Sequence, residues 1–251
     1  MNQSSWRILR IIASCLAITG VITGGVVNIA RGVRMSQDMV LVVENYFSFF
    51  TIVSTIATIV TFLIAARRNG PLATADGVES APLAIALATT STAMIILGVV
   101  YNALLRSLPL DLATPDPWWV TFLDRWSLEV LHVALLAYVV VDVLFAPRRR
   151  RLGWLSLVAI VGIPLLWAAY TMIRGPLVPA PDASTPYWYP YFFLDPNGPG
   201  GYATPMMYIG AIAAAFLILG GVMILLTHRR GWVRRAAPAA PSADTTPQPR
   251  A

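Results

Sequence analysis

The run from Glu44 to Arg68 reads ENYFSFFTIVSTIATIVTFLIAARR, and it decides what kind of fold the chain can adopt. From Asn45 to Ala66 it carries no charged residue, and at about 1.5 Å per helical residue it can cross about 30 Å of hydrocarbon. Ser48, Thr51, Thr55 and Thr58 follow at spacings of three, four and three. On a helix of 3.6 residues per turn, those spacings lay the four hydroxyls in one stripe. The stretch reads as an apolar cylinder with one polar seam, and something inside the protein has to face that seam.

The rest of the chain repeats the theme. Of 251 residues, 57% are hydrophobic and 12% charged, and the mean hydropathy is +0.67. A water-soluble domain needs more charge than this. Six segments have the length and composition of membrane spans: about 11–30, 46–66, 82–105, 126–146, 153–173 and 205–227. No alternation of period two is visible, so the reading is all-α, an integral membrane bundle of six transmembrane helices filling residues 1–235. Arg7 and Arg10 ahead of the first apolar run also match the opening of a secretory signal peptide. That run is long for such a peptide, and Gly20-x-x-x-Gly24 supplies a helix-packing face, so the first helix is expected to remain.

All 18 basic residues are arginine. Thirteen fall in the N-terminus, the second and fourth loops and the tail, against five (Arg31, Arg34, Arg106, Arg125 and Arg174) in the other three loops. The positive-inside rule then puts both termini in the cytoplasm. The net charge of +6 is accounted for by arginines beside anionic lipid, and no nucleic-acid partner is expected. The tail 236–251, rich in Ala, Pro, Ser and Thr without an aromatic, reads as disordered. One cysteine, Cys15, and two histidines exclude an internal disulfide and a multi-histidine metal site.

Candidate chemistry concentrates toward the outer side. His132 lies about two turns into the fourth segment, with Glu129 three residues before it and Asp142 ten after. A charge at the centre of a membrane helix costs about 2.5–3.5 kcal/mol, so such groups face the interior and find partners. Asp142 is expected to pair with an arginine of the Arg148–Arg151 run or to snorkel. Ser48 and Thr51 lie at a depth similar to His132, and a hydroxyl beside a neutral imidazole is the minimal arrangement for nucleophilic catalysis. Thr55 and Thr58 are expected to be structural. Tyr101 and Asn102 are expected either to line the same cavity or to knit helices. The stretch from Tyr187 reads YWYPYFFLDPNGPGGY. Tyr187, Trp188, Tyr189 and Asp195 there form either an interfacial aromatic belt or a lid over a pocket. Pro164 should kink the fifth helix, and His228 reads as an interfacial residue.

YFSFFT opening the second helix, YNALLR closing the third, LHVALLAYVVVD in the fourth and YWYPYFFLDPNGPGGY before the sixth, taken in order, resemble the androgen-induced six-helix membrane proteins and their bacterial relatives. The resemblance covers roughly residues 5–230. It implies an intramembrane hydrolase of fatty acid esters of hydroxy fatty acids, in a bacterial plasma membrane, with a threonine nucleophile and a histidine. Alignment of the motifs puts the family histidine on His132, keeps the acidic residue at Asp142, and puts the family threonine on Ser48, not Thr51. A proline usual four or five residues after the histidine is replaced at Leu136 or Ala137.

The sequence therefore leads to lipid ester hydrolysis without metal or cofactor. Ser48 or Thr51 attacks, His132 acts as base and then acid, Tyr101 or Asn102 serves the oxyanion, and Glu129 orients His132. The partner is membrane lipid, with a fatty acyl ester as substrate; nothing indicates a homo-oligomer. The rival reading is a lipid-binding or small-molecule transport protein using the same cavity without turnover.

Overall fold

The computed structural model describes residues 3–67, 79–107, 115–147, 149–181 and 186–232. The tail expected to be disordered at 236–251 lies outside them. The helices are α1 (Gln3–Arg34), α2 (Met39–Ser48), α3 (Phe50–Ala66), α4 (Ala81–Val100), α5 (Trp118–Glu129), α6 (Leu135–Phe145), α7 (Ser156–Arg174) and α8 (Ala203–Trp232). A π-helical turn, Tyr101–Leu105, extends α4, and a second, Val130–Ala134, joins α5 to α6. Short 3-10 turns cover Gly175–Leu177 and Phe192–Leu194. Among the described residues there is no strand, and Pro179 and Tyr187 form an isolated antiparallel bridge.

Five helices are long and apolar enough to cross a membrane, and the bent pair α2–α3 makes a sixth if it counts as one span. The fold is thus all-helical with the spans of a membrane bundle. Polarity is arranged for lipid: Leu166 is 72% exposed and Ile218 69%, while Ser54, Thr55, Thr58 and Thr89 to Thr92 are buried. Water would disfavour that surface, and hydrocarbon does not. α4 is the axis of the bundle, 67% buried over its central window where the other single-helix spans reach 22–33%.

The helix boundaries depart from expectation where side chains find partners. α1 runs past both ends of the expected 11–30. Arg10 pairs with Asp142 at 2.9 Å, and Arg31 reaches Asp116 and Asp124, each at 2.7 Å. These ion pairs hold the terminal turns helical against other helices. The expected helix 46–66 is broken. Phe49 is extended, with φ −66° and ψ 131°, and α2 and α3 meet at 64°. In an unbroken helix the carbonyl of Ser48 would accept from the N–H of Ile52. Here it accepts from the Trp167 indole at 3.0 Å, while the Ile52 N–H turns to the Phe49 carbonyl at 3.0 Å. Aromatic packing holds the break open, with the Phe49 ring edge-on to Trp188 and Tyr191, each 5.7 Å away. Ser48 and the three threonines therefore do not share one stripe.

Small residues set the close approaches. A methyl group added at Gly20 would stand 2.8 Å from Leu131, and one at Gly24 2.8 Å from the Ser127 hydroxyl. The Gly20-x-x-x-Gly24 face is thereby used inside the chain, against the π turn and α5. Gly98 is tighter: an added Cβ would lie 2.5 Å from Leu136 and 3.2 Å from the His132 carbonyl oxygen. Gly98→Ala should lower stability in detergent by about 1–3 kcal/mol through overpacking. Gly162→Ala, where nothing lies within 4 Å, should be neutral or stabilising by up to about 1 kcal/mol from helix propensity. Thermal unfolding of the two variants checks the contrast.

Candidate functional site

Three departures from helical regularity converge on one place. The break at Phe49 starts a new helix whose first turn carries Thr51. The π turn Val130–Ala134 carries His132, and the π turn Tyr101–Leu105 begins with Tyr101. In each π turn a backbone N–H reaches back five residues, from Leu135 to Val130 and from Arg106 to Tyr101. Such turns loosen the ladder and let carbonyls serve side chains.

His132 is buried, and its Nδ1 lies 3.1 Å from the Leu128 carbonyl oxygen. A carbonyl only accepts, so Nδ1 carries the proton and Nε2 presents its lone pair. The Thr51 hydroxyl lies 3.5 Å from Nε2 and 3.3 Å from the Tyr191 hydroxyl. Since Thr51 donates to Nε2, its oxygen accepts from Tyr191. The direction of the whole chain, Tyr191 to Thr51 to His132 to Leu128, is thus fixed by one backbone carbonyl. The Tyr101 ring stacks on the imidazole with centroids 4.0 Å apart and planes at 22°. Thr51, Tyr101, His132 and Tyr191 open on a cavity of about 60 Å³ walled by Phe50, Leu97, Pro164, Trp167, Phe193 and Phe216 among others. That space admits several waters or a short piece of alkyl chain, and its wall is almost wholly apolar.

The other residues singled out in the sequence fall differently. The Ser48 hydroxyl donates to the Glu44 carbonyl at 2.7 Å and lies 2.9 Å from the Tyr170 hydroxyl, while the hydroxyl beside His132 is that of Thr51. The break turned Ser48 away and left Thr51 on the imidazole. Glu129 does not orient His132. It is half exposed and paired with Arg106, and the Leu128 carbonyl fills the place at Nδ1. Asn102 knits helices: its amide N–H groups go to the Gly98 and His132 carbonyls at 2.8 and 3.3 Å, and its oxygen accepts from Arg106. It is therefore not free to serve an oxyanion. Thr55 reaches the Met94 sulfur at 3.9 Å and Thr58 bonds back to Ser54 at 2.7 Å, both structural.

In the aromatic segment, Tyr187 pairs by backbone with Pro179, and Trp188 lies under the Arg174 guanidinium at 5.3 Å. The Tyr189 ring packs on Gly175, where a Cβ would be 2.1 Å from it, and burial pushes its phenol up to about 12. Asp195 closes a turn by accepting from the Asn197 N–H at 2.8 Å. The residues that enter the cavity are instead Tyr191, Phe193 and Leu194. Tyr191 and Phe193 stack at 5.2 Å with planes 4° apart, and no local signal in the aromatic run singled them out. His228 lies 2.6 Å from the Leu152 carbonyl oxygen at the opposite end. Among the described residues no three His, Cys, Asp or Glu side chains gather as metal ligands.

No protein-family model, curated protein or solved structure matches this chain. What the site does is read from its own geometry.

Proposed function

We propose that the protein is an intramembrane hydrolase of lipid esters with Thr51 as nucleophile and His132 as general base. The observation that carries this reading is the directed chain from Tyr191 through Thr51 to the free lone pair of His132, opening on an apolar cavity. In the same reading the bundle crosses the plasma membrane six times with both termini cytoplasmic, as its arginine distribution favours.

The chemistry follows atom by atom. Thr51 Oγ1 attacks the acyl carbonyl carbon as its proton passes to His132 Nε2. The carbonyl oxygen becomes an oxyanion beside the nucleophile, where the Tyr191 hydroxyl re-aims its proton from Thr51 to stabilise it. The tetrahedral adduct collapses, the C–O bond to the alcohol breaks, and His132 protonates the departing oxygen. Water then attacks the acyl-threonine with Nε2 again taking a proton, which returns to Thr51 as the acid leaves. The 3.5 Å approach of hydroxyl to imidazole shortens when substrate fills the cavity.

One feature favours the second reading, lipid binding without turnover. A neutral carbonyl behind Nδ1 fixes the tautomer but supports an imidazolium less than a carboxylate does. Labelling with a fluorophosphonate probe separates the two. Label should form on the wild type and on Ser48→Ala, and should fall by at least about 100-fold in Thr51→Ala and His132→Ala. Loss in Ser48→Ala alone would return the nucleophile to the residue the resemblance implies, and a wild type that never labels would leave lipid binding.

Tyr191 adds a pH test. Burial is the largest influence on its phenol and raises it above the usual 10, so it keeps its proton, and its capacity to donate, beyond pH 10. Tyr191→Phe should slow labelling about 100-fold, the scale of one lost oxyanion donor, at every pH up to 10. Equal labelling rates in the wild type and Tyr191→Phe below pH 10 would contradict the assignment.

A further inference from the structure

α4 has a cavity at each end. The one farther from His132 lies between α4, α8 and the segment after α6, and measures about 30 Å³. Its mouth is charged, with Glu79, Arg149 and Arg150, and its wall continues along α4 through Ala84 and Ala88 to Ser91. From Ala81 to Ser91 the helix rises about 15 Å, so a polar mouth stands over a largely apolar slot. The two alanines are what leave the slot open.

The charges at the mouth are unequally committed. Arg10 and Arg149 bracket Asp142, which is fully buried, and also reach Glu79 Oε1 at 3.5 and 3.8 Å. Glu79 Oε2 is buried with no hydrogen-bond partner, on a side chain only 10% exposed. Arg150 has no ion-pair partner among the described residues and is exposed. The mouth therefore presents an uncommitted cation and a carboxylate oxygen that lacks a donor. A fatty acid carboxylate would answer the first and not the second. A phospholipid head group holding both a phosphate and an N–H or O–H donor answers both, and the slot of about 30 Å³ has room for the first methylenes of its chain.

We infer that this cavity is a lipid site separate from the His132 cavity, taking one phospholipid whose phosphate meets Arg150, whose ammonium or hydroxyl donates to Glu79, and whose chain enters the slot beside α4 and α8 by its first methylenes only. The inference depends on the bundle lying in lipid and not on ester hydrolysis, so a failed labelling experiment leaves it standing.

Native mass spectrometry of the delipidated full chain in detergent tests it, with phosphatidylethanolamine, phosphatidylglycerol and phosphatidylcholine of equal chain length as probes. One equivalent of the ethanolamine or glycerol lipid should bind at least about tenfold more tightly than the choline lipid, which has no donor to offer. Arg150→Gln should weaken the preferred lipid by about tenfold, the scale of one charge-assisted hydrogen bond. Ala84→Leu should lower occupancy by filling the slot. Arg150 is exposed, so its variant is expected to fold even if Glu79→Gln, which should erase the preference over choline, does not. Equal binding of all three lipids, or unchanged binding in both Arg150→Gln and Ala84→Leu, would overturn the proposal. Phosphoethanolamine without acyl chains binding as tightly as the lipid would reassign the site to a free phosphate compound.

Discussion

An ion buried among apolar helices has to be met by its opposite, and the bundle is organised around that requirement. Arg10 and Asp142 are 7% and 0% exposed and 2.9 Å apart. Arg149 pairs with the same carboxylate, so removing Asp142 leaves two buried guanidiniums with only Glu79 between them, at a cost of about 3–5 kcal/mol, far more than the intact group contributes. The pairing therefore dictates that α1 lie against α6. At the other end Arg31 and Arg34 share Asp116, which lays the same helix against the entry to α5. With α1 held at both ends, its glycine face is pressed onto the π turn that carries His132.

Regular helix would not have made the candidate site. A continuous ladder engages every carbonyl with a backbone N–H and leaves a side chain only the second lone pair of each. The imidazole is oriented because Leu128 offers a carbonyl beside a π turn, and Thr51 reaches it because Trp167 takes the carbonyl of Ser48 and ends α2. Polar interactions that appear to disturb the helices are the ones that converge on the cavity, and its apolar wall strengthens each of them by excluding water.

Local properties were legible in the sequence and distant pairings were not. Spans show because hydropathy and length belong to one segment, and His132 shows because an ionisable group in such a segment needs a reason. Asp142 meets Arg149 seven residues on, close enough to anticipate. Its bond to Arg10 spans 132 residues and left no local mark. Ser48 and Thr51 were inseparable on an assumed unbroken helix, since three residues apart they share a face. The break that separates them is set by an indole 119 residues away from Ser48. Tyr191 was read as one aromatic among several at an interface, because nothing in YWYPYFF states which rings turn inward.

The span of the Arg10 to Asp142 pairing bears on how the chain is assembled. During synthesis α1 emerges long before α6, so Arg10 meets the bilayer without its carboxylate. Until residue 142 arrives, the end of α1 that carries Arg10 is favoured at the head-group layer, where a guanidinium can be solvated. Settling α1 to its final depth and closing the bundle over the His132 cavity then become one event. The cavity comes into being late, after most of the polypeptide is already in place.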